Sequence, residues 1–234
     1  MNAKITKPKK ILIISAIILA VILIACGIYL ATGQYSAQER ATEIFQNAEN
    51  LTIQDNMYIL SPETESDTAI IFYPGGKVEA ISYLPLMQKI TENLGVTTII
   101  VEMPFNLACF SINSADSVIN SMPEIENFYI AGHSLGSAMA SVYAENNGEK
   151  LQGVIVLGGY VYGDYPKENS LTIYGSLNSN LESSITYTDN VYIIEGGNHA
   201  QFGDYGEQSG DTPATISAEE QEDITVEIIK SFIN

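Results

Sequence analysis

Cysteine and histidine occur only twice each in this chain, tryptophan never, and ten lysines and arginines stand against 28 aspartates and glutamates. Three of these scarcities each remove a class of protein. Two cysteines, Cys26 and Cys109, cannot staple a disulfide framework, so the fold must rest on an apolar core. Two histidines without cysteines at ligand spacing match no zinc pattern, and neither a metal nor a cofactor is expected. The few basic residues and the net charge of −18 argue against nucleic acid as a partner, because phosphates are met by clustered lysine and arginine. Hydrophobic residues still make up 46% of the 234, which excludes a disordered chain.

Charge is unevenly placed. Lys4, Lys7, Lys9 and Lys10 crowd the first ten positions, and every acidic residue follows position 38. From residue 31 on, six basic residues face 28 acidic ones, a balance of −22. Such a field favours neutral or cationic ligands, and it would keep a histidine protonated to higher pH than in free solution. Between the two regions, Ile11 to Leu30 form an uncharged apolar run long enough to cross a hydrocarbon core as a helix. The lysines before it put the N-terminus in the cytoplasm and the acidic body outside. Two other readings compete: a lipoprotein signal ending at Cys26, and a cleaved secretory signal. The apolar run continues past Cys26 through Leu30, which favours the uncleaved anchor. The expected division is therefore a basic tail at 1–10, a transmembrane anchor at 11–30, a linker helix at 31–51 and one main domain at 52–234.

Ser36 to Glu39 has the form of a capping box, predicting a short helix over Ala37 to Ala48. Beyond it, short β-rich runs appear at Met57–Leu60, Ala69–Tyr73, Thr97–Glu102, Phe128–Ala131, Gly153–Leu157, Leu171–Tyr174 and Val191–Ile194. Helical stretches lie at Ala80–Leu94, Ala115–Ser121, Ser137–Asn146 and Ala218–Ile233. Runs such as AIIFY and GVIVL are apolar throughout rather than alternating, as strands covered on both faces must be. The fold class that follows is α/β, a mostly parallel central sheet flanked by helices.

Gly132-His133-Ser134-Leu135-Gly136 fits G-x-S-x-G where a predicted strand runs into a predicted helix. Glycines on either side let the serine occupy a sharp turn that lifts its hydroxyl above the strand ends. A serine needs a base, and His199 lies on a glycine-loosened loop after the last predicted strand, in the chain order such a pair requires. His133 adjoins the serine, but neighbouring side chains diverge on such a turn, so it is read as a packing residue. A tetrahedral intermediate also needs two amide donors. These are expected from Leu135, after the nucleophile, and from Gly76 in Tyr73-Pro-Gly-Gly-Lys77, with Lys77 as second choice. The tyrosines at 160 and 162 are candidates for a pocket rim, Cys109 is read as structural, and the acidic residues at 219, 220, 222 and 223 as a favourable first helical turn.

The segments FYPGGKVEA, VEMPFNLACFS, AGHSLGSAMA and GGNHAQFGDYGEQSGD resemble, in order and spacing, those of a bacterial group of α/β-hydrolase-fold proteins that often carry an N-terminal membrane anchor. The resemblance runs from about Ile70 to the C-terminus. It implies an α/β-hydrolase fold with little or no lid, Ser134 as nucleophile, His199 as base, and an oxyanion hole around Gly76 and Leu135. One position departs from the pattern. Where such proteins usually carry an aspartate in a YGSxD-like stretch, this chain reads Tyr174-Gly-Ser-Leu-Asn178. An amide cannot balance an imidazolium, so another carboxylate must serve or catalysis is weak. Asp164, after the preceding strand, is the first candidate, with Glu182 and Asp189 behind it. The expected activity is a serine hydrolase on small neutral esters or related acyl substrates. The alternative is a non-catalytic binding module that keeps the fold.

Overall fold

A computed structural model describes residues 7–178 and 181–233. Internal contacts divide the chain into two units, Met1–Gln34 and Tyr35–Asn234. The first is a single helix, α1 (Lys7–Ala31). Its stretch Lys7–Ile28 has a mean hydropathy of 3.2 and no buried residues within the unit. At about 1.5 Å per residue it is long enough to cross a membrane, and a signal sequence would have the same length and composition. Of the expected basic tail at 1–10, residues 1–6 lie outside the described residues.

The second unit opens with α2 (Glu39–Asn47) and a hairpin of β1 (Leu51–Gln54) and β2 (Met57–Leu60), then alternates strands and helices. In order these are β3 (Thr68–Tyr73), α3 (Leu84–Leu94), β4 (Thr97–Val101), α4 (Ser114–Ser121), β5 (Asn127–His133) and α5 (Leu135–Asn147). Then follow β6 (Gly153–Leu157), β7 (Ser170–Gly175), β8 (Val191–Ile194) and α6 (Ala218–Ile233). The strands form one eight-stranded sheet in the order β1-β2-β4-β3-β5-β6-β7-β8. From β4 to β8 all pairs are parallel, and the β1-β2 and β2-β4 pairs are antiparallel. The apolar strand runs are explained by burial on both faces. Ile70, Phe72, Leu171 and Ile173 pack under α3 and α6. Ile71, Ile130, Val154 and Val156 pack under α4 and α5 on the other face.

Local sequence sets several boundaries and tertiary contacts override others. Gly95 ends α3 in the left-handed region at φ 68°, a conformation a side chain resists. The predicted helix Ala80–Leu94 begins instead as a 3-10 turn over Ala80–Tyr83, and the α-helix proper carries Pro85 in its first turn. β1 was not anticipated: it is a short edge strand with mostly exposed residues, so it lacks the apolar signature of the others. The capping box does not form. Gln38 holds the N-cap position without a side-chain bond, and the carboxylate of Asp204 accepts the Ala41 N–H at 2.9 Å instead.

The segment 31–51, expected as a linker, is held against the sheet body from Tyr35 on. Tyr35 donates its N–H to Lys77 O at 2.8 Å and accepts from Glu79 N–H at 3.0 Å, pairing with Val78 as an isolated parallel bridge. Arg40 on α2 forms two hydrogen bonds, of 2.7 and 3.0 Å, to the carboxylate of Glu222 on α6. Lys89 on α3 lies 3.2 Å from the same carboxylate, whose side chain has no solvent exposure. Glu222 is thus not part of an exposed acidic turn but the buried anion that ties three helices together. Truncating Arg40→Ala leaves that charge with one partner, at a cost of about 2 to 3 kcal/mol, near the low end for a broken buried pair because Lys89 remains. Thermal unfolding of the variant is expected roughly 5 to 10 °C below the wild type.

Candidate active site

Parallel strands place their carboxyl ends along one edge of the sheet, and every candidate residue comes from loops on that edge. Gly76 follows β3, Ser134 and Leu135 follow β5, Asn178 follows β7, and His199 follows β8.

Ser134 sits between β5 and α5 at φ 53°, ψ −119°, a left-handed conformation costly for a residue with a side chain. Its neighbours explain why the turn can close. A Cβ on Gly132 would lie 2.5 Å from the carbonyl carbon of Gly136, and one on Gly136 would strike the carbonyl oxygens of Tyr73 and Pro74. The turn is pinned by the Ser134 N–H donating to Leu157 O at 3.0 Å and by the Ser137 hydroxyl donating to Ser134 O at 2.7 Å. The serine itself remains partly exposed.

Three consecutive amides follow β3, and two of them are engaged. The Gly75 N–H donates to the Tyr83 hydroxyl at 3.0 Å, and the Lys77 N–H donates to Asn106 O at 2.7 Å. Lys77, the second choice as oxyanion donor, is therefore occupied elsewhere. Among the described residues no acceptor stands on the N–H of Gly76 or of Leu135. Leu135 is the first residue of α5, where helix geometry leaves amides unpaired and the dipole positive. The two residues adjoin: a Cβ on Gly76 would be 3.1 Å from Leu135 Cδ2.

The two imidazoles lie together, with ring centroids 4.5 Å apart. His133 is fully buried, and its Nε2 is 3.0 Å from the carbonyl oxygen of His199. A carbonyl can only accept, so Nε2 carries the proton and Nδ1 accepts from the Tyr83 hydroxyl at 2.9 Å. Tyr83 in turn accepts from Gly75. His133 is buried as expected, yet it does more than fill space, because it joins the glycine loop after β3 to the backbone of His199. Sequence reasoning missed Tyr83, fifty positions away, since nothing local marks it.

Asn178 lies 3.1 Å from Nδ1 of His199. Two amide orientations fit: Nδ2 donating to a bare Nδ1, or, after a half-turn, Oδ1 accepting from Nδ1–H. Only the second leaves Nε2 free to take a proton. The first-choice acid, Asp164, is not brought to this ring. It is exposed in the loop after β6, where its N–H donates to Glu145 of α5 at 3.2 Å and Gly163, at φ 83°, turns the chain toward that helix. Glu182 and Asp189 are likewise exposed, with no bond to His199 among the described residues. The carboxylate that does meet this residue is Asp211, which accepts the N–H groups of His199 at 3.3 Å and Ala200 at 2.8 Å. No hydrogen bond joins Ser134 Oγ to His199 among the described residues; the ring that packs on His199 is that of His133, the residue before the serine. Around the edge, Tyr160 and Tyr162 are exposed with rings 6.5 Å apart, as are Phe105 and Phe110 after β4 at 5.7 Å. Cys109, read as structural, is exposed between them in sequence and contributes nothing to the core.

Burial pushes His133 well below the ordinary imidazole value of 6.5, helped by the neighbouring His199. It also lowers His199, against a smaller opposing pull from Asp211. The expectation that overall negative charge holds the histidine protonated is thereby reversed, since desolvation at the site outweighs the distant field. An unfolded chain binds these protons below pH 6.5 and the folded one does not, so stability falls as pH drops below 6.5 toward the lowered folded values. Each histidine contributes up to about 1.4 kcal/mol per pH unit in that window. In His133→Gln, urea midpoints measured on both sides of pH 6.5 should lose part of this slope.

Among curated proteins, none matches this chain in sequence. The fold has many counterparts among solved structures. Est1E from Butyrivibrio proteoclasticus superposes with a TM-score of 0.55 at 14% identity, covering 76% of this chain and 92% of its own. MenH from S. aureus gives 0.57 at 11% identity, with 77% and 100% covered. The monoacylglycerol lipase of Paleococcus ferrophilus gives 0.55 at 14%, with 75% and 99% covered. At such identities the likeness is one of fold. The family model described as alpha/beta hydrolase family matches residues 69–223, well over half of the chain and the whole stretch from β3 into α6. On that match, the chain belongs to the alpha/beta hydrolase family.

Proposed function

We propose that this protein is a serine hydrolase of small neutral esters or related acyl substrates, acting through an acyl-enzyme on Ser134. The observation that carries the reading is the turn at Ser134, held at φ 53° beside two amides, of Gly76 and Leu135, that have no acceptor among the described residues. A strained serine next to unspent donors has a chemical use and no packing benefit. In the proposed reaction His199 Nε2 takes the Ser134 hydroxyl proton as Oγ bonds the acyl carbon. The carbonyl electron pair moves onto oxygen, under the Gly76 and Leu135 amides. Collapse of that intermediate breaks the ester bond, and the alcohol leaves with the proton from His199. Water repeats the cycle on the acyl-enzyme. The open, partly aromatic rim and the negative body favour uncharged substrates. The monoacylglycerol lipase among the structural neighbours belongs to the same reaction class, as its name states.

A second reading has one observation in its favour. Asn178 occupies the place on His199 where a carboxylate is expected, which suits a binding module that has given up turnover. A fluorophosphonate separates the two. Labelling of the wild type that vanishes in Ser134→Ala and drops at least about a hundredfold in rate in His199→Ala supports the enzyme. Unlabelled protein in every form supports the binding module. For the enzyme, the acid limb of kcat/KM should fall below pH 6.5, because burial favours the neutral imidazole of His199.

Membrane attachment completes the proposal. The lysines before α1 and the acidic body after it favour a single uncleaved span with the hydrolase unit outside the cytoplasm. Under this reading Cys26→Ala leaves the protein in the membrane fraction at unchanged size, whereas release of the variant would identify Cys26 as a lipid anchor.

A further inference from the structure

A neutral amide on Nδ1 can orient the His199 ring but cannot offset the positive charge the ring gains when it takes the serine proton. That charge forms in a half-buried place, where an uncompensated ion is costly. The charged and titratable groups packed on His199 are few. From β5 comes His133, held neutral by burial. From the loop after β7 comes Asn178, which carries no charge. From β6 comes Gly158, where even a Cβ would press within 3.0 Å of both rings. From the far side of the turn comes Asp211.

The placement of Asp211 is firm. Its Oδ2 accepts from Ala200 N–H at 2.8 Å, and its Oδ1 accepts from His199 N–H at 3.3 Å and Thr212 N–H at 3.0 Å. The next residue is fixed to the His199 loop by Asn198 Nδ2, which donates to Thr212 O at 3.0 Å. Asp211 accepts the backbone N–H of the same residue whose ring is to be charged, and its charge acts on that ring.

We infer that the charge and the orientation supplied by one aspartate in a standard triad are divided here, with Asn178 orienting the His199 ring and Asp211 supplying the negative charge as a positioning residue. The inference rests on the hydrolase reading above. It explains how an amide can stand at position 178 without abolishing turnover.

The test uses the full-length chain in detergent and the rate of fluorophosphonate labelling as a function of pH. Asp211→Asn keeps an acceptor for the turn and removes the charge. Its acid limb should move down by about half to one pH unit and its plateau rate fall about tenfold. Asn178→Asp added to it returns a carboxylate to the ring and should bring the rate back within about threefold, with the limb moving up again. A role as a mere turn cap predicts no such recovery. An unmoved limb at wild-type rate in Asp211→Asn, or a loss that the double variant does not repair, overturns the inference. Should Asp211→Asn not fold, Asn178→Asp alone decides. A gain under about threefold supports a charge already in place, and a gain of about a hundredfold overturns it. Labelling absent from every form would sink the hydrolase reading instead. In that case an NMR titration of the His199 ring still reads the aspartate, with coincident wild-type and Asp211→Asn curves counting against it.

Discussion

The closeness of Gly136 to the end of β3 is the constraint on which the candidate site depends. No side chain fits between the first turn of α5 and the Tyr73 and Pro74 carbonyls, so the helix starts directly against the neighbouring strand. That contact sets where β5 must stop, forces Ser134 into its left-handed conformation, and brings the free amide of Leu135 beside Gly76. Strain of this kind costs about 1 to 3 kcal/mol and persists only when its surroundings over-determine it. Here the surroundings are the buried sheet on both sides and the Leu157 carbonyl that takes the serine amide.

Around that turn a second layer acts on backbone rather than on substrate. His133 couples the glycine loop, through Tyr83, to the carbonyl of His199, so the prospective donor loop and the prospective base share one buried hydrogen-bond chain. Burial holds the His133 ring neutral, which keeps its Nδ1 an acceptor for the Tyr83 hydroxyl. Both sides of the site are therefore fixed by one residue that touches neither the serine hydroxyl nor a substrate.

Much of this was legible in the sequence because it is local. The strands Met57–Leu60, Gly153–Leu157 and Val191–Ile194 begin and end where their apolar runs do. Ser134, Leu135 and Gly76 are marked by glycine spacing within a few residues, and His199 by its place after the last strand. What was not legible depends on partners far apart in the chain. Glu222 reads as one acid of a favourable helix start until Arg40, 182 positions away, reaches it. Asp211 looks like a loop residue until the chain folds back twelve positions onto His199. Asp164 was a reasonable choice from strand order alone, but the direction in which its loop leaves β6 is set by Gly163 and Glu145, which no spacing rule encodes. The helix start was illegible for the same reason, since its cap at Ala41 N–H comes from a carboxylate 163 positions away.

The strap at Tyr35 has a mechanical corollary. Its two backbone bonds close on Lys77 and Glu79, so the chain emerging from the apolar helix is stitched to the residue immediately after Gly76. A disturbance of the backbone at Tyr35 would be felt at the glycine loop before it reached the rest of the sheet. A cut ahead of Tyr35 would leave both bonds in place, whereas a cut a few residues later would unpick the seam and slacken the loop it borders.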